Sequence, residues 1–165
     1  MALFTVDTEN WNHGLHLDNR GHTSDIKWLL NKLDVHKITA IFYLLGDWIS
    51  ENPDIYVLLK KSRHVLKSHG KHHYYDEKGD RSPYFNQEGV PGLCGGFFFR
   101  LLPLWLVKME IETVGMFFIH PHDLDENHPK LKNWWFNWKR HVGLKNSKSK
   151  LEQLLKEVKW DVPST

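Results

Sequence analysis

The chain has 165 residues and a mass of 19.6 kDa, which fits one domain and falls short of the roughly 200 residues that a complete eight-unit parallel barrel takes. Its 22 basic and 20 acidic residues leave a net charge of +2, too even to argue for a nucleic-acid or anionic-membrane surface. The single cysteine, Cys94, excludes an internal disulfide and a Cys-rich zinc knuckle, and no apolar run approaches the roughly 18 residues of a membrane span. The opening MALFTVDTEN has neither a basic segment nor a long apolar one, so no secretory signal is read there and a cytoplasmic location is expected. A hydrophobic content of 41%, with eight Trp and nine Phe, suffices for a packed core.

Leu3-Phe4-Thr5-Val6, interrupted at Asp7, predicts a buried strand with a polar end. Ile26, Leu29, Leu30 and Leu33 recur at helical spacing and predict a helix over 25–33, with Thr23 or Ser24 as its cap. The β-branched and aromatic run from Ile38 to Leu45 predicts a strand buried on both faces. Asn52-Pro53 places a cap and a first-turn proline before Ile55, Val57, Leu58 and Leu59. Strand, helix, strand, helix is the pattern of a parallel α/β sheet. From His69 to Gly96 six glycines and no sustained period predict a loop, long enough to suggest function. Regular pattern resumes at Phe97–Met109, broken by Pro103, and Gly115–Ile119 predicts another buried strand ending in His120-Pro121-His122-Asp123. Helical segments over 130–141 and 148–158 close the chain. The second carries Leu151, Leu154, Leu155 and Val158 on one face, with Ser149 and Glu152 as a capping box. Trp134, Trp135, Phe136 and Trp138 offer a sugar-stacking platform, but their helical spacing favours packing against the core or another helix.

Asp7 and Glu9 stand one residue apart at a strand end, so in extended backbone both carboxylates face the same side. The pair suits one carboxylate on a metal and one as a base; a solvated acidic turn is the plainer alternative. His69 and His73 are four apart, a spacing that presents two imidazoles on one helical face to a metal, although His72 offers a three-residue alternative. Twelve histidines make about one such pair expected by chance, so the spacing needs context. His120 ends its strand as Asp7 ends the first, and in parallel α/β sheets ligands gather at such carboxyl ends. A loop carbonyl satisfying His120 is the alternative. Arg81, in the long loop, either orients a carboxylate or is a surface charge. Gly95-Gly96 fits a tight turn better than a phosphate cradle, since no Lys-Ser/Thr follows.

Taken in order, these pieces resemble the polysaccharide deacetylase family, the NodB-homology or carbohydrate esterase family four enzymes. Thr5-Val6-Asp7-Thr8-Glu9 is similar to a variant of that family's first motif, with Glu9 one methylene longer than the commoner aspartate. Ser68-His69-Gly70-Lys71-His72-His73 matches its His-x-x-x-His motif and selects His73, and Arg81-Ser82-Pro83-Tyr84 matches its Arg-x-Pro-Tyr/Phe motif. Gly95–Pro103, Phe118–Asp123 and the tail around His141-Val142-Gly143-Leu144 and Lys150-Leu151-Glu152 resemble later segments of a subgroup acting on bacterial surface polysaccharides. The resemblance implies a distorted, incomplete (β/α) barrel spanning 1–165 as one domain, internally shortened between about 74 and 95, where full-length relatives carry more strands and helices.

It also implies metal-dependent hydrolysis of an N-acetyl group on an amino sugar. Glu9, His69 and His73 would hold a divalent metal, zinc by default. Asp7 would be the general base, oriented by Arg81. The oxyanion would be met by the backbone N–H of Tyr84, beside Pro83, and His120 would protonate the departing amine. The implied partner is an N-acetylated saccharide, with no nucleic acid and no membrane span, and the oligomeric state is left open. Two rivals are a non-catalytic relative that binds sugar or a partner, and an amidohydrolase acting on a small amide.

Overall fold

The computed structural model describes residues 1–9, 22–70, 93–130 and 132–163. Four parallel strands form its centre: β1 (Leu3–Thr8), β2 (Ile41–Leu44), β3 (Val65–Ser68) and β4 (Met116–Ile119), side by side in the order β3-β2-β1-β4. Register pairs Val6 with Phe42 and with Ile119, and Phe42 with Leu66. β1 is covered on both faces from Phe4 onward: Phe4 and Val6 fill one side, and the buried Thr5 between them donates its hydroxyl to the Phe117 carbonyl. Among the described residues β3 and β4 are the sheet's edges. They therefore show a parallel α/β sheet and not a closed barrel.

Helix α1 (Thr23–Val35) joins β1 to β2, and α2 (Gly46–Glu51) and α3 (Pro53–Lys60) join β2 to β3. α4 (Gly96–Leu101) and α5 (Leu104–Val114) precede β4, and α6 (Trp134–His141) and α7 (Ser147–Glu157) follow it. The apolar faces foreseen on α1 and α7 are the buried ones: Ile26, Leu29, Leu30 and Leu33, then Leu151, Leu154 and Leu155. Phe4 packs against Phe117 and Trp160 at ring-centroid distances of 5.3 and 5.2 Å, and Phe99 meets Phe117 at 5.2 Å. Two backbone bonds, Ala2 N–H to Lys159 and Asp161 N–H to Ala2, clamp the tail beside β1. Lys150 of α7 donates its ammonium to the carbonyls of Phe99 and Leu102, which α4 leaves without helical partners at its end.

Several expectations need correction. The residue preceding α1 is His22, in left-handed backbone at φ 44°, and Thr23 and Ser24 lie inside the helix. The strand expected over 38–45 is confined to 41–44, because the chain turns into α2 at Gly46. β3 was not foreseen: Val65-Leu66-Lys67-Ser68 is an edge strand only half buried, so its apolar signal is two residues long. Ser149 and Glu152 do not box the start of α7. The helix begins at Ser147, Ser149 bonds back to the Asn146 carbonyl, and Glu152 pairs with Lys32 at 2.6 Å. Trp134, Trp135, Phe136 and Trp138 are not core residues, being 76, 49, 51 and 41% exposed. α6 begins at Trp134 with Asn133 as its cap, whose side chain accepts from Trp135 N–H and Phe136 N–H.

Gly95 lies against β4, bridged in parallel to Phe118, and a Cβ built there would fall 1.8 Å from the Phe118 carbonyl oxygen. Backbone cannot yield that distance without parting from the sheet. Gly95→Ala is expected to destabilise the fold by about 1–3 kcal/mol, read as a lower urea midpoint at unchanged slope.

Candidate active site

The carboxyl edge of the sheet gathers the acidic and imidazole groups. Asp7 occupies the last turn of the pleat in β1, and Glu9 follows the strand directly. His69 follows β3, held by its N–H to the Leu44 carbonyl at 2.9 Å, and His120 follows β4. Because β1 lies between β3 and β4 in the sheet order, Glu9 has one imidazole on each side, and Asp7 faces His120. Glu9 Oε2 is 3.8 Å from His69 Nε2, Glu9 Oε1 is 3.6 Å from His120 Nε2, and Asp7 Oδ2 is 3.9 Å from the same Nε2. Asp7, Glu9 and His69 are buried, and His120 retains partial exposure. Four sequence-predicted residues therefore meet at one place. His73, Arg81, Pro83 and Tyr84 lie outside the described residues, as does most of the loop expected over 69–96.

Behind His120 stands a set of groups that the sequence reading did not single out. Asp123 Oδ2 accepts from the backbone N–H of His120 at 3.0 Å and from its Nδ1 at 3.1 Å. Asp123 Oδ1 accepts from Arg100 Nε at 2.9 Å. Arg100 is itself buried, and its remaining N–H groups go to the carbonyls of Lys139, Arg140 and Val142. His122 stacks on His120 with ring centroids 4.7 Å apart, and Arg140 Nη1 lies 3.1 Å from His122 Nε2. Gly96, at φ +51°, brings the start of α4 up to this pair; a Cβ there would lie 3.8 Å from both His120 Cε1 and Asp123 Oδ2, so it is the left-handed backbone and not crowding that favours glycine.

The electrostatics follow from this packing. Burial alone would lower the pKa of His120. The hydrogen bond to Asp123 and the negative charges of Glu9, Asp123 and Asp7 overcome it and push the pKa up to about 9. Burial would likewise raise Asp123, but His122, the bond to His120 and the Arg100 guanidinium hold it well below the usual carboxylate range. His120 thus stands as an imidazolium at neutral pH. Its Nδ1–H is held by Asp123, and its Nε2–H is turned towards Asp7 and Glu9. A raised pKa means that these ion pairs contribute stability below the ordinary value of 6.5 and lose it as pH rises through 9.

Glu9 and His69 fit a borderline divalent cation. An oxygen and an imidazole nitrogen face each other in a buried place, and 3.8 Å is a span that two bonds of about 2.0–2.2 Å to one ion can bridge. His120, His122 and Asp123 also bring their donor atoms together. There the carboxylate is already bonded to Arg100 and His120, so the group reads as a brace for His120. The local signal for that brace was the His-Pro-His-Asp run after an apolar strand; Arg100, lying in Phe-Phe-Phe-Arg-Leu-Leu, carried none.

Residues 12–88 match the family model Polysaccharide deacetylase, and residues 87–164 match a Domain of unknown function (DUF3473). No curated protein and no solved structure matches the chain. The first span contains His69 and the second contains Arg100, His120 and Asp123, while Asp7 and Glu9 precede both.

In protein freed of metal, the His120 ring is expected to titrate at about 9 by heteronuclear NMR. Asp123→Asn should lower that midpoint by about 1–3 units, since the paired carboxylate is removed. A midpoint that stays put would detach His120 from Asp123.

Proposed function

We propose that this chain, whose residues 12–88 match the polysaccharide deacetylase family model, hydrolyses the N-acetyl group of an amino sugar in a surface polysaccharide or its precursor, releasing acetate. The observation that supports this most is the meeting of Asp7, Glu9, His69 and His120 at the carboxyl edge of the sheet, with the His120 ring braced by Asp123.

Hydrolysis of an unactivated amide needs a proton removed from water, negative charge stabilised on the acetyl oxygen, and a proton delivered to a poor leaving group. Glu9 and His69, with His73 by the motif, would hold a divalent cation, zinc by the character of the donors, which when bound would supply Lewis acidity for the water and the acetyl oxygen. Asp7 takes the water proton as the new C–O bond forms. His120 gives its Nε2 proton to the sugar nitrogen as the C–N bond breaks. Asp123 and Arg100 act through His120: they keep it charged and fix its ring so that Nε2, not Nδ1, faces the reaction. By the Arg-x-Pro-Tyr motif alone, Arg81 would orient Asp7 and the Tyr84 N–H, beside Pro83, would meet the oxyanion.

Asp7→Asn should keep zinc while acetate release from N-acetylglucosamine oligomers falls by about 10²–10⁴-fold, the range removed with a general base. His69→Ala should lose one zinc per chain relative to the unmodified protein, and activity with it. Zinc held at the site with no acetate from oligomers or small amides would establish a non-catalytic saccharide- or partner-binding protein instead. Release from small amides alone would establish an amidohydrolase.

A further inference from the structure

A second cluster lies where the start of α1 meets the segment following β4. We propose that His22, Asp25 and Asp125 form a second divalent-cation site, of zinc type, separate from Glu9 and His69, that fastens the start of α1 to the segment carrying His120. The three residues are buried, and one donor atom from each lies within 4.8 Å of the others. His22 Nδ1 is 3.5 Å from Asp125 Oδ2 and 3.9 Å from Asp25 Oδ2. Both distances fall within the span of two bonds of about 2.0–2.2 Å to a shared ion.

The carboxylates are oriented from outside in the way that supports a cation. Asp25 gives its other oxygen, Oδ1, to Lys148 Nζ of α7 at 3.0 Å, and Asp125 gives Oδ1 to the backbone N–H of Asn127 at 2.9 Å. Each acid is thereby held by one oxygen while the second is turned towards His22, an arrangement that fixes ligands before the ion arrives. His22 sits in left-handed backbone immediately before α1, a conformation a histidine adopts at a steric cost that the cluster must offset. Two more imidazoles border the place: His122 and His128 lie 6.2 Å from His22, centroid to centroid, and 6.0 Å from each other. One nitrogen with two carboxylates suits a borderline ion such as zinc over an all-oxygen ion such as calcium. Burying two carboxylates is costly, and Lys148 faces only one of them.

The cluster reaches the first site through His122, which stacks on His120. An ion there does no chemistry on the substrate. It fixes the segment from which His120 and Asp123 project, and so acts as a positioning element.

The test is a zinc titration of chelator-stripped protein, followed by calorimetry and by the thermal midpoint. The unmodified chain is expected to take up two zinc ions, His69→Ala one, and His69→Ala combined with Asp125→Asn none. In the His69→Ala background, zinc should raise the thermal midpoint, and His22→Gln, which keeps a polar group of similar reach, should abolish that rise. His22→Gln offers a second reading should Asp125→Asn not fold. A His69→Ala protein that takes up no zinc, or whose zinc survives both His22→Gln and Asp125→Asn with unchanged affinity, overturns the second site. No acetate release from the unmodified protein, with the second zinc still taken up, would count against the proposed reaction and leave this site standing.

Discussion

The bond between Arg100 and Asp123 is the constraint on which the rest of the structure depends. Both side chains are almost wholly enclosed, and an ionised carboxylate in such a place is tolerated only with a matched cation and its other lone pairs filled. Arg100 supplies the cation, His120 fills the other oxygen, and the unused N–H groups of Arg100 take three carbonyls at the end of α6. One guanidinium thus joins α4, the turn after β4 and α6. The closeness of that junction shows at Gly143, in left-handed backbone at φ 72°, where a Cβ would come within 2.3 Å of the Arg100 carbonyl oxygen. Removing either charge would leave the other buried and unmatched, a loss of about 3–5 kcal/mol.

From that brace the chemistry of the sheet edge follows. Two carboxylates at the end of β1 share one imidazolium at the end of β4, so the charge state of each depends on the others. A cation on Glu9 and His69 would withdraw the negative charge of Glu9 from His120 while leaving Asp123 and Asp7 in place. His120 would then remain protonated but become a stronger acid, which is what a proton donor to an amine needs. Parallel strands make the arrangement possible because all four deliver their last residues to the same side. The exposed tryptophans of α6 are surface and not core, with Trp138 against Phe97.

Much of this was legible in the sequence, for reasons that differ by residue. β1 and β2 announced themselves by apolar residues because their strands are largely enclosed, β4 because two of its side chains are buried and the other two half-buried, and α1 and α7 by helical periods because each buries one face. β3 was silent because an edge strand needs few apolar residues, and α2 because six residues carry no period. Asp7, Glu9 and His120 could be foreseen together since each ends, or follows, an apolar run read as a strand, whereas His69 was legible only through its spacing to His73 and the family motif, β3 itself being silent. Arg100 with Asp123, and His22 with Asp125, could not: their partners are 23 and 103 positions away, and only the packing of α4 and α1 against the turn after β4 brings them together. The resemblance implied an incomplete barrel; the described residues show its four-stranded parallel sheet, and the sequence between β3 and α4 carries no sustained period.

The central claim is that Glu9, His69 and His120 belong to one site, with the cation on the first two and the proton on the third. The measurement that tests it most directly is the His120 titration by NMR, with and without zinc. Zinc is expected to move the His120 midpoint downward from about 9, and His69→Ala to remove that movement. A midpoint that zinc leaves unchanged, or that moves equally in His69→Ala, would contradict the account.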